Sequence, residues 1–196
     1  MKTFRAFGPI IGKSKLSKTI INVLNKHINK SQVSQKNDYS SKLASQIQNE
    51  IKISNVMINK NLSKELVGDI KDYLKKSDIK KIKEIKIISL WVVRQFKNEY
   101  NPIHYHDGQI SGVGYLQIPR NMNQNKLISN KKFKTNGTID FINGQKSFLS
   151  KSIYNLTPKL GDLLIFPSYL MHSAYPFNVD GERRSFSFNA KILFKK

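Results

Sequence analysis

The residues of this chain best suited to chemistry are histidines. In NPIHYHDG, residues 101–108, two imidazoles stand two positions apart. On a strand, side chains i and i+2 leave from one face, so His104 and His106 would grip a ligand from one rigid edge. A third imidazole, His172, comes much later in the chain, behind the apolar run LLIFPSYLM, which would carry a distant strand back across a barrel. Neutral imidazoles suit iron, copper, nickel and zinc, so three converging histidines make a metal site. An H-x-H pair alone is weak, because accidental surface pairs are common. The fourth histidine, His27, falls on the inner stripe of an expected helix near Ile20 and Val23, where packing is the simpler role, and none is assigned to it.

Beyond His172, GERRSFSFN places Arg183 and Ser185 on one face of a strand. A guanidinium fork takes a carboxylate bidentately, and a neighbouring hydroxyl can donate to the same group. Alone, Arg183 would pass for an ordinary charged strand end, as neighbouring Arg184 does; beside the histidines it becomes an anchor for an acidic molecule near a metal. The chain has no cysteine. That excludes a disulfide framework, a thiolate zinc site and a cysteine nucleophile.

The elements that position these residues change character near residue 84. Before it, Leu16, Ile20, Leu24 and Ile28 recur every four residues, as do Leu43, Ile47 and Ile51. A third helix is expected after Asn61 as its N-cap, with Leu62, Leu66, Ile70, Tyr73 and Leu74 on one face. These three stripes, after a short opening strand, predict a helical support region over 1–83. From 84 to 196 the pattern turns to period two and short apolar runs: EIKIISLWVVRQF, SGVGYLQIP, GTIDFI, KSIYNL, DLLIFP and RSFSFNAKILF. Turn signals separate them at Asn143 and Gly144, at 158–162 and at 178–181. The expected fold is mainly β with N-terminal helices, a jelly-roll, cupin-like core in one domain over 1–196. The stretch 120–137 is polar, carries Lys126, Lys131, Lys132 and Lys134, and reads as a long loop between strands.

The formal charge is +21, from 34 basic and 13 acidic residues, and it is spread over both halves of the chain. Such a field attracts polyanions. Yet 29 of the basic residues are Lys and five are Arg, beside 19 Asn. That bias is what AT-rich coding produces, and Arg, the residue that reads bases bidentately, is scarce. A nucleic-acid partner is therefore possible but not favoured. No run approaches the roughly 20 apolar residues of a membrane helix, and the N-terminus lacks the apolar core of a secretory signal. A cytoplasmic protein is expected, without a membrane partner.

Several ordered motifs are similar to those of the iron(II)- and 2-oxoglutarate-dependent oxygenases. They are WVVRQFKNEYNPIHYH at 91–106, SGVGYLQIP at 111–119, GDLLIFPSYLMH at 161–172 and GERRSFSFN at 181–189, with FGPIIGKSKL at 7–16. The chain most resembles a group that includes phage-encoded members, near the prolyl-hydroxylase branch; for such a member the host cytoplasm is the implied location. The resemblance implies a double-stranded β-helix over 84–196 that binds Fe(II), 2-oxoglutarate and O2. Carried over, His104 and His172 become iron ligands, and Arg183 with Ser185 becomes the pair that holds the 2-oxoglutarate C5 carboxylate. Tyr115 shares a face with Ser111 and Val113, and would either add a phenol contact to the cosubstrate or serve as a core aromatic.

One departure stands out. The common motif of that superfamily is H-x-D, giving two histidines and a carboxylate. Here His106 occupies the third place and Asp107 follows one step later, on the opposite face unless a bulge intervenes. The favoured set is His104, His106 and His172, with Asp107 as the alternative third ligand. No other residue is assigned a catalytic role. The implied activity is that of a dioxygenase that hydroxylates an unidentified substrate, anionic if the basic loop faces it, with release of succinate and CO2. Two rivals remain: a cupin-like metalloprotein indifferent to 2-oxoglutarate, and a basic nucleic-acid-binding module on a degenerate barrel.

Overall fold

Alternation builds this molecule. In the computed structural model, which describes residues 1–5, 8–30, 38–53, 60–122, 135–146, 148–149 and 151–195, eleven strands form two antiparallel sheets. β1 (Lys2–Arg5) and β2 (Ile10–Lys15) make a hairpin, so the opening strand is double. α1 (Lys18–Lys30) follows, then β3 (Asn49–Lys52), α2 (Lys60–Lys76) and the long β4 (Ile82–Gln95). β5 (Asn101–His104), β6 (Ile110–Gln117), β7 (Ile139–Ile142), β8 (Ile153–Leu156), β9 (Asp162–Pro167), β10 (Met171–Ala174) and β11 (Arg183–Phe194) complete the chain. The large sheet runs β1-β2-β9-β6-β11-β4-β3 and the small one β5-β10-β7-β8.

Each strand of the large sheet serves two layers. On β9, Leu163 and Ile165 join the core under the helices, while Leu164 and Phe166 join the core between the sheets. On β11, Phe186, Phe188 and Ala190 face the helices, and the alternate positions Arg183, Ser185, Ser187 and Asn189 face an internal cavity. The two phenylalanines need room from β6. A Cβ on Gly112 would lie 2.5 Å from the Phe188 ring, and one on Gly114 2.4 Å from that of Phe186. Glycine at these two positions lets bulky rings lie under the strand.

The helices cover the outer face of the large sheet with Ile20, Leu24 and Ile28 from α1 and Leu66, Ile70, Tyr73 and Leu74 from α2. Ser17 starts α1 with its hydroxyl accepting from the Ile20 N–H (3.3 Å), and both its N–H and its hydroxyl donate to Glu65 of α2 (2.9 and 2.8 Å). Among the described residues, no helix is long and apolar enough to cross a membrane.

Four sequence expectations need correction. Leu43, Ile47 and Ile51 do not form a helical stripe: the chain makes a short 3-10 turn at Ser40–Lys42 and then enters β3 on the edge of β4. Asp38 turns the backbone by accepting from the N–H and hydroxyl of Ser40 (2.9 and 2.7 Å). The three apolar residues then divide between surfaces, Ile51 under the helices and Leu43 and Ile47 against Trp91 and Val93, so strand pairing outweighs a weak period of four. Residues 1–83 thus supply three strands of the large sheet as well as helices. α2 begins at Lys60, which puts Asn61 inside its first turn rather than at its cap. His27 and Val23 lie on the exposed side of α1, not on its inner stripe. Finally, Arg184 is no surface residue: it is buried and forked onto Glu182 (2.6 and 2.8 Å). Lys126, Lys131, Lys132 and Lys134 of the basic loop lie outside the described residues.

Candidate metal and cosubstrate site

A cavity of about 280 Å³ opens between the sheets, lined on one wall by β5 and β10 and on the other by β6, β11 and β4. β5 and β10 pair so that His104 stands directly opposite His172, with ring centroids 4.2 Å apart. The chain keeps its alternation past the end of β5. Tyr105 turns out to solvent at 69% exposure and His106 turns in, held by its backbone N–H to the Ser168 carbonyl (3.0 Å). The potential ligand atoms of the three histidines all lie within 4.8 Å of one another. Asp107 is exposed at the rim, outside this group.

Local hydrogen bonds orient the rings. The Nδ1 of His104 donates to the Pro102 carbonyl (2.7 Å) and that of His172 to the Leu170 carbonyl (2.9 Å), because a carbonyl can only accept. Each Nε2 then carries the ring's lone pair, the tautomer a ligating histidine adopts. Trp91 packs edge-on to His106 (5.5 Å) and Phe166 to His172 (4.9 Å), fixing both rings from behind. Burial lowers the pKa of all three: His106 falls to about 3, and His172 falls far below its usual value, by burial and then by its two imidazole neighbours. The imidazoles are therefore neutral at physiological pH, the state that binds a cation.

The other end of the cavity is cationic. Arg183 is 4% exposed, and its Nη1 donates to the Gly137 carbonyl (2.8 Å) while Nη2 donates to the Gln95 side-chain oxygen. Among the described residues no carboxylate pairs with it. The contrast with its neighbours is sharp, since Arg184 and Arg94 both pair with Glu182. Burial alone pulls the Arg183 pKa down, with Tyr115 opposing. Ser185 lies beside Tyr115 across β11 and β6, and both line the same cavity. Burial pushes the Tyr115 phenol up to about 12, so it stays a neutral donor.

Ser187 and Asn101 of the cavity, and Gln95 behind Arg183, escaped the sequence reading. Ser187 continues the alternation of Arg183 and Ser185 and was legible from it. Gln95 continues the inward row Trp91, Val93 on β4. Asn101 carried no signal: its Nδ2 lies 3.5 Å from the His104 Nε2, and its Oδ1 is buried with no hydrogen-bond partner. At the rim, Tyr39 stacks against Trp91 (5.8 Å), with the Lys42 ammonium over its other side (5.8 Å).

A family model described as "Putative 2OG-Fe(II) oxygenase" matches residues 89–189, which span both the histidine cluster and the Arg183 strand. The chain belongs to this family. It is accordingly a 2-oxoglutarate-dependent Fe(II) dioxygenase, with Fe(II), 2-oxoglutarate and O2 as the family's cofactor and cosubstrates. Solved structures share the oxygenase's fold at low identity. The 2OG complex of the viral collagen prolyl hydroxylase from Paramecium Bursaria Chlorella virus-1 is 16% identical, with a TM-score of 0.59 over 95% of this chain and 98% of that one. HygX from Streptomyces hygroscopicus, with iron bound, is 12% identical, with a TM-score of 0.58 over 95% of this chain and 82% of that one. A Pseudomonas putida prolyl-4-hydroxylase is 10% identical, with a TM-score of 0.56 over 95% and 93%. No curated protein matches the oxygenase by sequence.

Proposed function

We propose that this oxygenase holds Fe(II) on His104, His106 and His172, and the C5 carboxylate of 2-oxoglutarate on Arg183 with Ser185 and Tyr115, to hydroxylate a substrate that enters past Tyr39 and Tyr105. One observation carries the reading. A buried guanidinium with only neutral acceptors shares a cavity with three neutral imidazoles. Burying a charge without a counter-charge is costly, so such an arginine is built for an anion that arrives with a ligand. The donor set also fits the metal: three nitrogen ligands of borderline softness suit Fe(II), and a neutral triad leaves its positive charge available to an anionic chelator.

When bound, Fe(II) and 2-oxoglutarate would supply the electrons that reduce O2, one oxygen atom entering the hydroxylated substrate and the other succinate, with release of CO2. The chain contributes placement. Arg183 has five N–H donors and spends two on Gly137 and Gln95, which leaves about three for a bidentate carboxylate contact. Ser185 and Tyr115 add neutral hydroxyl donors from the adjoining strands. Trp91, Phe166 and Val113 present apolar surface beside the histidines. The polar stretch 120–137 is our candidate for substrate selection: its end at Gly137 bonds Arg183, and Asn136 ties it back to the Met122 carbonyl (2.8 Å).

The test is succinate formation by the purified protein with Fe(II), ascorbate and 2-oxoglutarate. Slow turnover without added substrate, abolished by a chelator and by Arg183→Met, is expected. Metal binding without any 2-oxoglutarate binding would overturn the reading in favour of a cupin-like metalloprotein.

A further inference from the structure

Gln95 ends β4 directly opposite Arg183 on β11. It is wholly buried, and its side chain is held at both ends. The Nε2 amide donates to the backbone carbonyls of Glu99 and Tyr175 (3.3 Å for the latter), which can only accept. The amide oxygen is thereby turned towards Arg183 and accepts from its Nη2. With the Gly137 carbonyl on Nη1, the guanidinium is fixed in its plane by two acceptors, and both are neutral.

The charge of the second acceptor matters. Glutamate is nearly the same size and shape as glutamine and would also accept from the guanidinium, although it would lose the two bonds that Nε2 gives to the Glu99 and Tyr175 carbonyls. It would discharge the guanidinium as well, as Glu182 does for Arg94 and Arg184 on the opposite face of the same two strands. The two faces thus use the same geometry for opposite ends. One closes its ion pairs internally, and the other keeps a cation open to the cavity.

We infer that Gln95 is a positioning residue that sets carboxylate affinity at this site: it aligns the Arg183 fork while leaving its charge uncompensated. The inference rests on the reading of Arg183 as the 2-oxoglutarate anchor. Gln95 touches no ligand itself and acts through Arg183.

The experiment is calorimetric titration of 2-oxoglutarate, and separately of Mn(II), into the full-length protein without turnover. The variants are Gln95→Glu, Gln95→Leu and Arg183→Met. Gln95→Glu is expected to weaken 2-oxoglutarate binding by about 10- to 100-fold, the value of one charge-assisted contact. Gln95→Leu, which loses the alignment but not the charge, is expected to weaken it by about three- to tenfold. Mn(II) affinity should stay within about threefold in both, which a general loss of structure would not allow. If Gln95→Glu binds 2-oxoglutarate like the wild type while Arg183→Met does not, the inference is wrong and the anchor stands. If Gln95→Glu does not fold, Gln95→Leu decides: unchanged 2-oxoglutarate affinity there refutes the inference. If Arg183→Met binds like the wild type, the anchor itself is refuted and the inference falls with it.

Discussion

Replacing Arg183 by methionine separates what the residue does for binding from what it does for stability. In the folded protein the change removes a guanidinium bonded to Gly137 and Gln95 and, among the described residues, to no carboxylate. Leaving those two acceptors without donors costs about 1–3 kcal/mol each. Against this, an uncompensated buried cation disappears, and its desolvation penalty is several kcal/mol. The two effects are of similar size, so Arg183→Met is expected to fold with a Tm within a few degrees of the wild type. For the ligand nothing offsets the loss. Two charge-assisted hydrogen bonds to a carboxylate are worth about 3–6 kcal/mol together, or about 10² to 10⁴ in Kd. Thermal unfolding with Mn(II), with and without 2-oxoglutarate, reads both quantities. At 100 times Kd the wild type gains about 2.7 kcal/mol, a rise of about 5–11 °C for a chain of this size. At the same concentration the variant sits at or below its own Kd and gains about 1 °C or less. An equal ligand-induced rise in the two proteins would refute the anchor, and so would its absence in the wild type.

Other expectations follow from the same geometry. His106→Ala, like His104→Ala and His172→Ala, should lower Mn(II) affinity by at least about tenfold, whereas Asp107→Ala should leave the titration unchanged; a loss in Asp107→Ala with none in His106→Ala would assign the third ligand to Asp107. Gly114→Ala drives a Cβ to 2.4 Å from the Phe186 ring, an overpacking worth about 1–3 kcal/mol, and should lower Tm by several degrees, with partial recovery in the double variant carrying Phe186→Leu. For Glu182, burial opposes ionisation but hydrogen bonds from Arg184 and Arg94 outweigh it, holding its pKa below the usual 4.5. Its stabilisation is present above pH 4.5 and is lost as pH falls through the lowered folded value, so Glu182→Gln should flatten the acid limb of a stability–pH curve.

The parts of the site legible in the sequence are those carried by alternation within one strand. Arg183, Ser185 and, with hindsight, Ser187 project from β11 by period two, and His104 and His106 keep the same rhythm although β5 ends between them. β5 and β10 stand outside the apolar runs read as strands because NPIH and MHSA, although no shorter than β7 and β8, lack their apolar content; both carry ligand candidates. Gln95 was invisible for a different reason. Its role depends on the register that sets it opposite Arg183, a contact spanning 88 positions of sequence. Leu43, Ile47 and Ile51 misled because helical spacing in a short polar segment is a weaker force than hydrogen bonding to the free edge of β4. Among the described residues, Arg183 and, at the rim, Lys42 are the cations that line the cavity.

The most direct measurement is a crystal structure of the protein grown without oxygen in Fe(II) and 2-oxoglutarate. The prediction is iron bound by one nitrogen from each of His104, His106 and His172, at about 2.0–2.2 Å, with the distal carboxylate of 2-oxoglutarate on Arg183. Iron held by Asp107 in place of His106, or 2-oxoglutarate bound away from Arg183, would contradict it.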